Sequence, residues 1–217
     1  MGDAIHAVVD WDVTGTDAVA VGLRHQKLSP REQLSMSERN TLLRSMHDVG
    51  AAAWFGGSLM GAVGLNGGAS DVADPADRAR VSAAGWARWA PVQAAAIGVH
   101  AIGGLGLILA NKGRVGAQAG VGANTVVKTA LTVAAAGTSV YSGVLGGKIA
   151  QAGQSHAEAA TTPSPETPGD VSAAQKQLSV LQWATPVLTA IIVILGAQQG
   201  EQQRPTQILR GLAAKVG

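Results

Sequence analysis

Four stretches of the chain, at about 49–65, 90–110, 129–147 and 178–200, contain no Asp, Glu, Lys or Arg, and the charges gather between them. At 1.5 Å per residue, such segments form helices long enough to cross a hydrocarbon layer of about 30 Å. The second contains AIGGLGLILA and the fourth LTAIIVILGA, both continuously apolar. The first and third are richer in Ala, Gly, Ser and Thr. A soluble amphipathic helix needs a charged or strongly polar face, and these segments offer only Ser, Thr and Gln for one. Small residues instead suit contacts between membrane helices, where close backbone approach replaces hydrophobic burial. Gly57 with Gly61, and Gly143 with Gly147, have the small-xxx-small spacing and are the candidate packing positions.

The pattern predicts an all-α integral membrane four-helix bundle. A cytoplasmic N-terminal arm covers 1–45, a four-span membrane domain 46–200 and a cytoplasmic tail 201–217. Within the arm, Ser29-Pro30-Arg31-Glu32 has the form of a capping box, with serine as cap, proline at the first helical position and glutamate at the third. It predicts a helix from Pro30 that runs into the first span. Ahead of it, Ala4 to Leu23 alternates apolar and polar residues around Thr14-Gly15-Thr16-Asp17, which predicts a small hairpin. Between the first two spans, ASDVADPADRAR predicts a helix start at Asp74-Pro75. Between the last two, TTPSPETPGD cannot be helical and predicts a flexible loop.

Basic residues assign the sides. Eleven of the sixteen Lys and Arg precede the first span, join the second to the third, or follow the fourth. By the positive-inside rule both termini are cytoplasmic. Trp86, Trp89 and Trp183 then stand near the outer interface, where indoles concentrate. Only 14% of the 217 residues are charged, against about 25% in an average soluble domain. The formal charge of +2 is too small to predict a nucleic-acid partner. The absence of cysteine excludes disulfides, Fe–S clusters, thiolate zinc sites and cysteine nucleophiles. The expected partners are the lipid bilayer and other helices, in a homo-oligomer or a larger membrane complex.

Ionisable groups inside a bilayer are expensive and each calls for a functional hypothesis. His100 stands in the middle of the second span, His47 and Asp48 at the mouth of the first, and Lys128 at the start of the third. His47 and His100 are candidate cofactor ligands, as an axial pair for a b-type haem, and His100 is a candidate metal or proton site. With His47 at the membrane edge and His100 about ten residues into its helix, the two are expected roughly 15 Å apart along the bundle axis. The run His47 to Gly57, HDVGAAAWFGG, resembles the first helix of copper resistance protein D-like membrane domains. That resemblance implies metal or redox-linked membrane biology, with His47 as the position carried over.

No P-loop is present, and the glycine runs lie within spans rather than between a strand and a helix. Pro186 predicts a kink in the fourth span, while Pro91 reads as the start of the second. With so few polar groups in the spans, the expectation is a non-catalytic membrane subunit or scaffold. The alternatives are the haem- or metal-binding redox protein and a small-solute or ion channel lined by Ser58, Thr132, Thr138, Ser139 and Ser142.

Overall fold

The computed structural model describes residues 3–6, 24–27, 30–112, 119–152 and 157–202, and these are mostly helical. The chain divides into two compact units, Met1–Leu42 and Leu43–Gly217. In the first, β1 (Asp3–His6) and β2 (Arg24–Lys27) pair antiparallel, with Asp3 opposite Lys27 and His6 opposite Arg24. The second strand falls beyond the alternating run Ala4 to Leu23, and the expected turn at 14–17 lies outside the described residues. Helix α1 (Pro30–Met60) begins at the proline the sequence marks; the expected cap, Ser29, also lies outside them.

In the second unit α1 continues through a π-helical turn (Gly61–Leu65) into the short α2 (Asn66–Ser70), followed by α3 (Pro75–Ala110), α4 (Ala119–Gln151) and α5 (Gly169–Gln202). Burial recurs at Trp54, Ser58, Ala62 and Asn66, in steps of four. An α-helix of 3.6 residues per turn drifts off such a stripe. The wider π turn absorbs the drift and keeps Asn66 pointing inward.

Helix α3 starts as expected: the Asp74 carboxylate accepts the Ala76 N–H at 2.9 Å and Pro75 takes the first turn. It then continues without interruption to Ala110, so Pro91 is interior rather than a helix start. Helix α5 begins at Gly169, directly after the proline-rich run. That run is folded, not a bare loop: β3 (Ala157–Ala159) and β4 (Thr162–Pro163) pair antiparallel. Arg78 at the start of α3 donates to the Glu158 carbonyl at 2.7 Å and to the Val72 carbonyl at 2.9 Å. The turn before α3 and the hairpin before α5 therefore lie at the same end of the molecule.

The apolar interior is split in two. Ala79, Leu145, Ile149, Val171 and Ala174 form one cluster near the hairpin. Trp54, Ala96, Ala135 and Ile192 form the other, further along the helices. Meanwhile large side chains face outward, including Leu105, Leu109, Val133, Val144, Val187 and Ile194, all more than half exposed. Among the described residues two helices, α3 and α5, are long and apolar enough to cross a membrane, with mean hydropathies of 1.8 and 2.0 over their best windows. Helices α1 and α4, expected as spans on charge alone, do not reach that level.

Candidate functional sites in the helix interior

Two glycines bring α1 and α3 together at their closest crossing. A Cβ on Gly50 would stand 2.6 Å from the His100 nitrogen and 2.7 Å from the Ala96 carbonyl oxygen. A Cβ on Gly103 would stand 2.5 Å from the His47 nitrogen and 2.6 Å from the Leu43 oxygen. Each histidine thus sits opposite a glycine of the other helix, and the two backbones touch. The imidazoles stack between them, with centroids 4.2 Å apart and planes tilted by 37°. The expected axial offset of roughly 15 Å is corrected: α1 lies deeper along α3 than the edge of its charge-free stretch indicates.

Both rings are held by hydrogen bonds. His100 Nδ1 lies 2.9 Å from the His47 carbonyl oxygen, which only accepts, so Nδ1 carries the proton and donates. In the neutral ring Nε2 then accepts from the Thr132 hydroxyl of α4 at 3.3 Å. His47 Nδ1 donates to the Asp48 carboxylate at 2.8 Å. Trp54, fully buried, meets His100 edge-on at 6.2 Å and donates its indole N–H to the Ser139 hydroxyl at 3.1 Å. Lys128 is close enough to act electrostatically on His47, His100 and Asp48, and its ammonium donates to Gln199 of α5 at 3.4 Å.

These residues do not fit the cofactors considered. Axial haem ligands hold their rings on opposite faces of one metal, each nitrogen about 2 Å from it. Here the rings lie against each other with no gap for a porphyrin, and both nitrogens of His100 are engaged. Among the described residues no three His, Cys, Asp or Glu gather as a metal would require.

A second polar layer separates the two apolar clusters. Asn66, delivered by the π turn, accepts from Ser82 at 2.7 Å and from the Trp86 indole at 2.9 Å, and donates to Gln182 at 2.9 Å. Gln182 in turn donates to Thr161 in the hairpin at 3.4 Å. Thr138 and Thr185 join α4 to α5 at 3.1 Å. Beside this layer a cavity of about 430 Å³ opens between α3 and α4.

The remaining predicted positions fall into two kinds. Gly57 and Gly61 are close-contact sites, but their neighbours are the indole rings of Trp89 and Trp86 rather than helix backbone. Gly143 and Gly147 face open space, with nothing within 4 Å of a Cβ, and both line the cavity. They are not contact positions among the described residues. Of the polar residues expected along a channel, Thr132, Thr138 and Ser139 make bonds between helices, and Ser58 donates to the Trp54 carbonyl of its own helix at 2.8 Å. Ser142 borders the cavity. Sequence reasoning missed Asn66, Gln182 and the Gly50–Gly103 crossing. It also expected a nearly apolar interior, whereas His47, Ser58, Asn66, Ser82, His100, Ser139, Gln175, Thr185 and Thr189 are buried.

Comparison with known protein families, characterised proteins and solved structures finds no match to this chain. The resemblance to copper resistance protein D-like domains rests on His47–Gly57 alone.

Proposed function

We propose that this is a multi-pass membrane protein with four spans and both termini on the cytoplasmic side, acting as a non-catalytic subunit or scaffold. One observation carries the reading: the distribution of polarity is inverted relative to a water-soluble bundle. Only 17% and 22% of the most apolar windows of α3 and α5 are buried inside the molecule. A helix that is apolar because it forms a soluble core hides that surface, and exposed apolar patches much above a few hundred Å² are rare on soluble monomers. Beside Trp54, Leu145, Ile149, Val171 and Ile192, the interior here takes alanine, glycine and hydrogen-bonded polar side chains, while most of the large aliphatic side chains of α3, α4 and α5 face outward. Lipid tails accept such an exterior, and small residues with interhelical hydrogen bonds hold such an interior.

The eleven of sixteen Lys and Arg that precede the first span, join the second to the third or follow the fourth support the orientation. Side-chain hydrogen bonds join neighbouring helices at Trp54–Ser139, His100–Thr132, Asn66–Gln182 and Thr138–Thr185, which supports a packing role over a chemical one. The chain has no cysteine, so single cysteines report accessibility without background. In intact cells, a membrane-impermeant maleimide is expected to label a cysteine replacing Glu158 in the hairpin and to spare one replacing Lys112. Labelling of both or of neither in intact cells, or the reverse pattern, rejects the topology. Release of the protein from membranes by alkaline carbonate rejects the membrane reading itself.

A further inference from the structure

We infer that the cavity between α3 and α4 holds one acyl chain of a membrane lipid, an assignment that rests on the membrane reading above. The space is built by omission. Gly143, Gly146 and Gly147 turn towards it with nothing within 4 Å of a Cβ. The facing wall of α3 is Ala79, Ala83, Ala87, Ala90 and Ala94, recurring at helical spacing. Burial on α3 marks the ends of this stretch, at Ala79 and Ser82 and again at Ala96, while Ala83, Ala87, Ala90 and Ala94 between them are not buried. Tight packing elsewhere in α3 makes the gap a feature of this segment rather than of the helix.

Shape selects the occupant. The α3 wall from Ala79 to Ile97 is about 27 Å long and the α4 wall from Ser139 to Ala150 about 17 Å, at 1.5 Å per residue. The space, about 430 Å³, extends along both walls. An extended hydrocarbon chain follows a space of that length, whereas a helix seated there would leave labels on the outward residues alone. Polarity agrees: no Asp, Glu, Lys, Arg or His lines the space, so the part of a ligand held there is uncharged. The Ser142 hydroxyl borders the cavity, buried and without a hydrogen-bond partner among the described residues. The ester carbonyl of an acyl chain supplies the acceptor it lacks. Access is lateral, since Ala87, Ala90 and Ala94 on α3 and Val140 and Gly143 on α4 are exposed along the cleft. A chain slides in from the bilayer without crossing water.

The test reconstitutes the full chain in phosphatidylcholine vesicles containing a phosphatidylcholine with a diazirine on one acyl chain, followed by irradiation and peptide mass spectrometry. Labels are expected on the half-buried lining residues Ile97, Ser142 and Leu181 as well as on the outward Val187 and Ile194. In Gly146→Leu, and independently in Gly147→Leu, the cavity labels are expected to be lost while the outward labels persist, with helicity and elution volume unchanged. Labels confined to the outward residues, or cavity labels that survive both fillings, overturn the assignment and leave the membrane reading standing. Absence of labels from both faces overturns the membrane reading, and the acyl-chain site with it.

Discussion

Glycine serves opposite ends in this molecule, and only its surroundings tell which. At Gly103 the missing side chain lets α1 and α3 touch; at Gly147 it leaves a hole. Gly103→Ala is therefore expected to force the helices apart and destabilise the protein by about 1–3 kcal/mol, the usual range for overpacking. Gly147→Ala meets nothing and is expected to gain up to about 1 kcal/mol from helix propensity. Thermal unfolding of the two variants in the same detergent separates them, and a loss at Gly147 equal to that at Gly103 contradicts the open-space geometry. The sequence pattern selected Gly57, Gly61, Gly143 and Gly147 because spacing alone was visible. A small residue reads the same whether it faces a backbone, an indole or a void, so spacing does not single out Gly50 and Gly103, nor tell them from Gly143 and Gly147, which meet nothing among the described residues.

At the scale of the element, the π turn in the first long helix sets the polar layer. It aims Asn66 at partners on α3 and α5 that a regular helix would miss. Asn66→Ala removes an acceptor from Ser82 and Trp86 and a donor from Gln182 together, leaving buried polar groups unpaired at about 1–3 kcal/mol each. A marked drop in melting temperature is expected, accompanied by a change in the environment of the Trp86 indole. A variant that melts like the parent rules out a structural role for the layer. Helix starts at Pro30 and Asp74-Pro75 were readable because caps are local chemistry. The hairpin at 157–163 was not, since Ala-Glu-Ala and Thr-Pro are too short to show a period and owe their pairing to the contacts that Arg78 and Gln182 supply.

For the whole molecule, the distribution of charge already outlined four long helices, and the structure contains them. What charge does not encode is how far each helix slides along its neighbour. The histidines were expected apart because the charge-free stretch was equated with the membrane edge. Instead the Gly50–Gly103 contact fixes the sliding position and brings the rings together. The outward face is expected to tolerate polarity poorly: Ile191→Arg, placed in the apolar part of α5, costs about 2.5–3.5 kcal/mol of insertion on a translocon scale. A reduced carbonate-resistant fraction checks this, and full retention indicates that Ile191 does not face lipid.

Trp89 against Gly57 and Trp86 against Gly61 have one more consequence, in evolutionary time. Each indole occupies the volume that a side chain on the opposing glycine would need. A larger residue at 57 or 61 is admissible only after its tryptophan has shrunk, and a tryptophan that shrinks leaves a void until its glycine grows. Drift in this lineage therefore moves these four positions as two linked couples, with the ring lost before the methyl is gained.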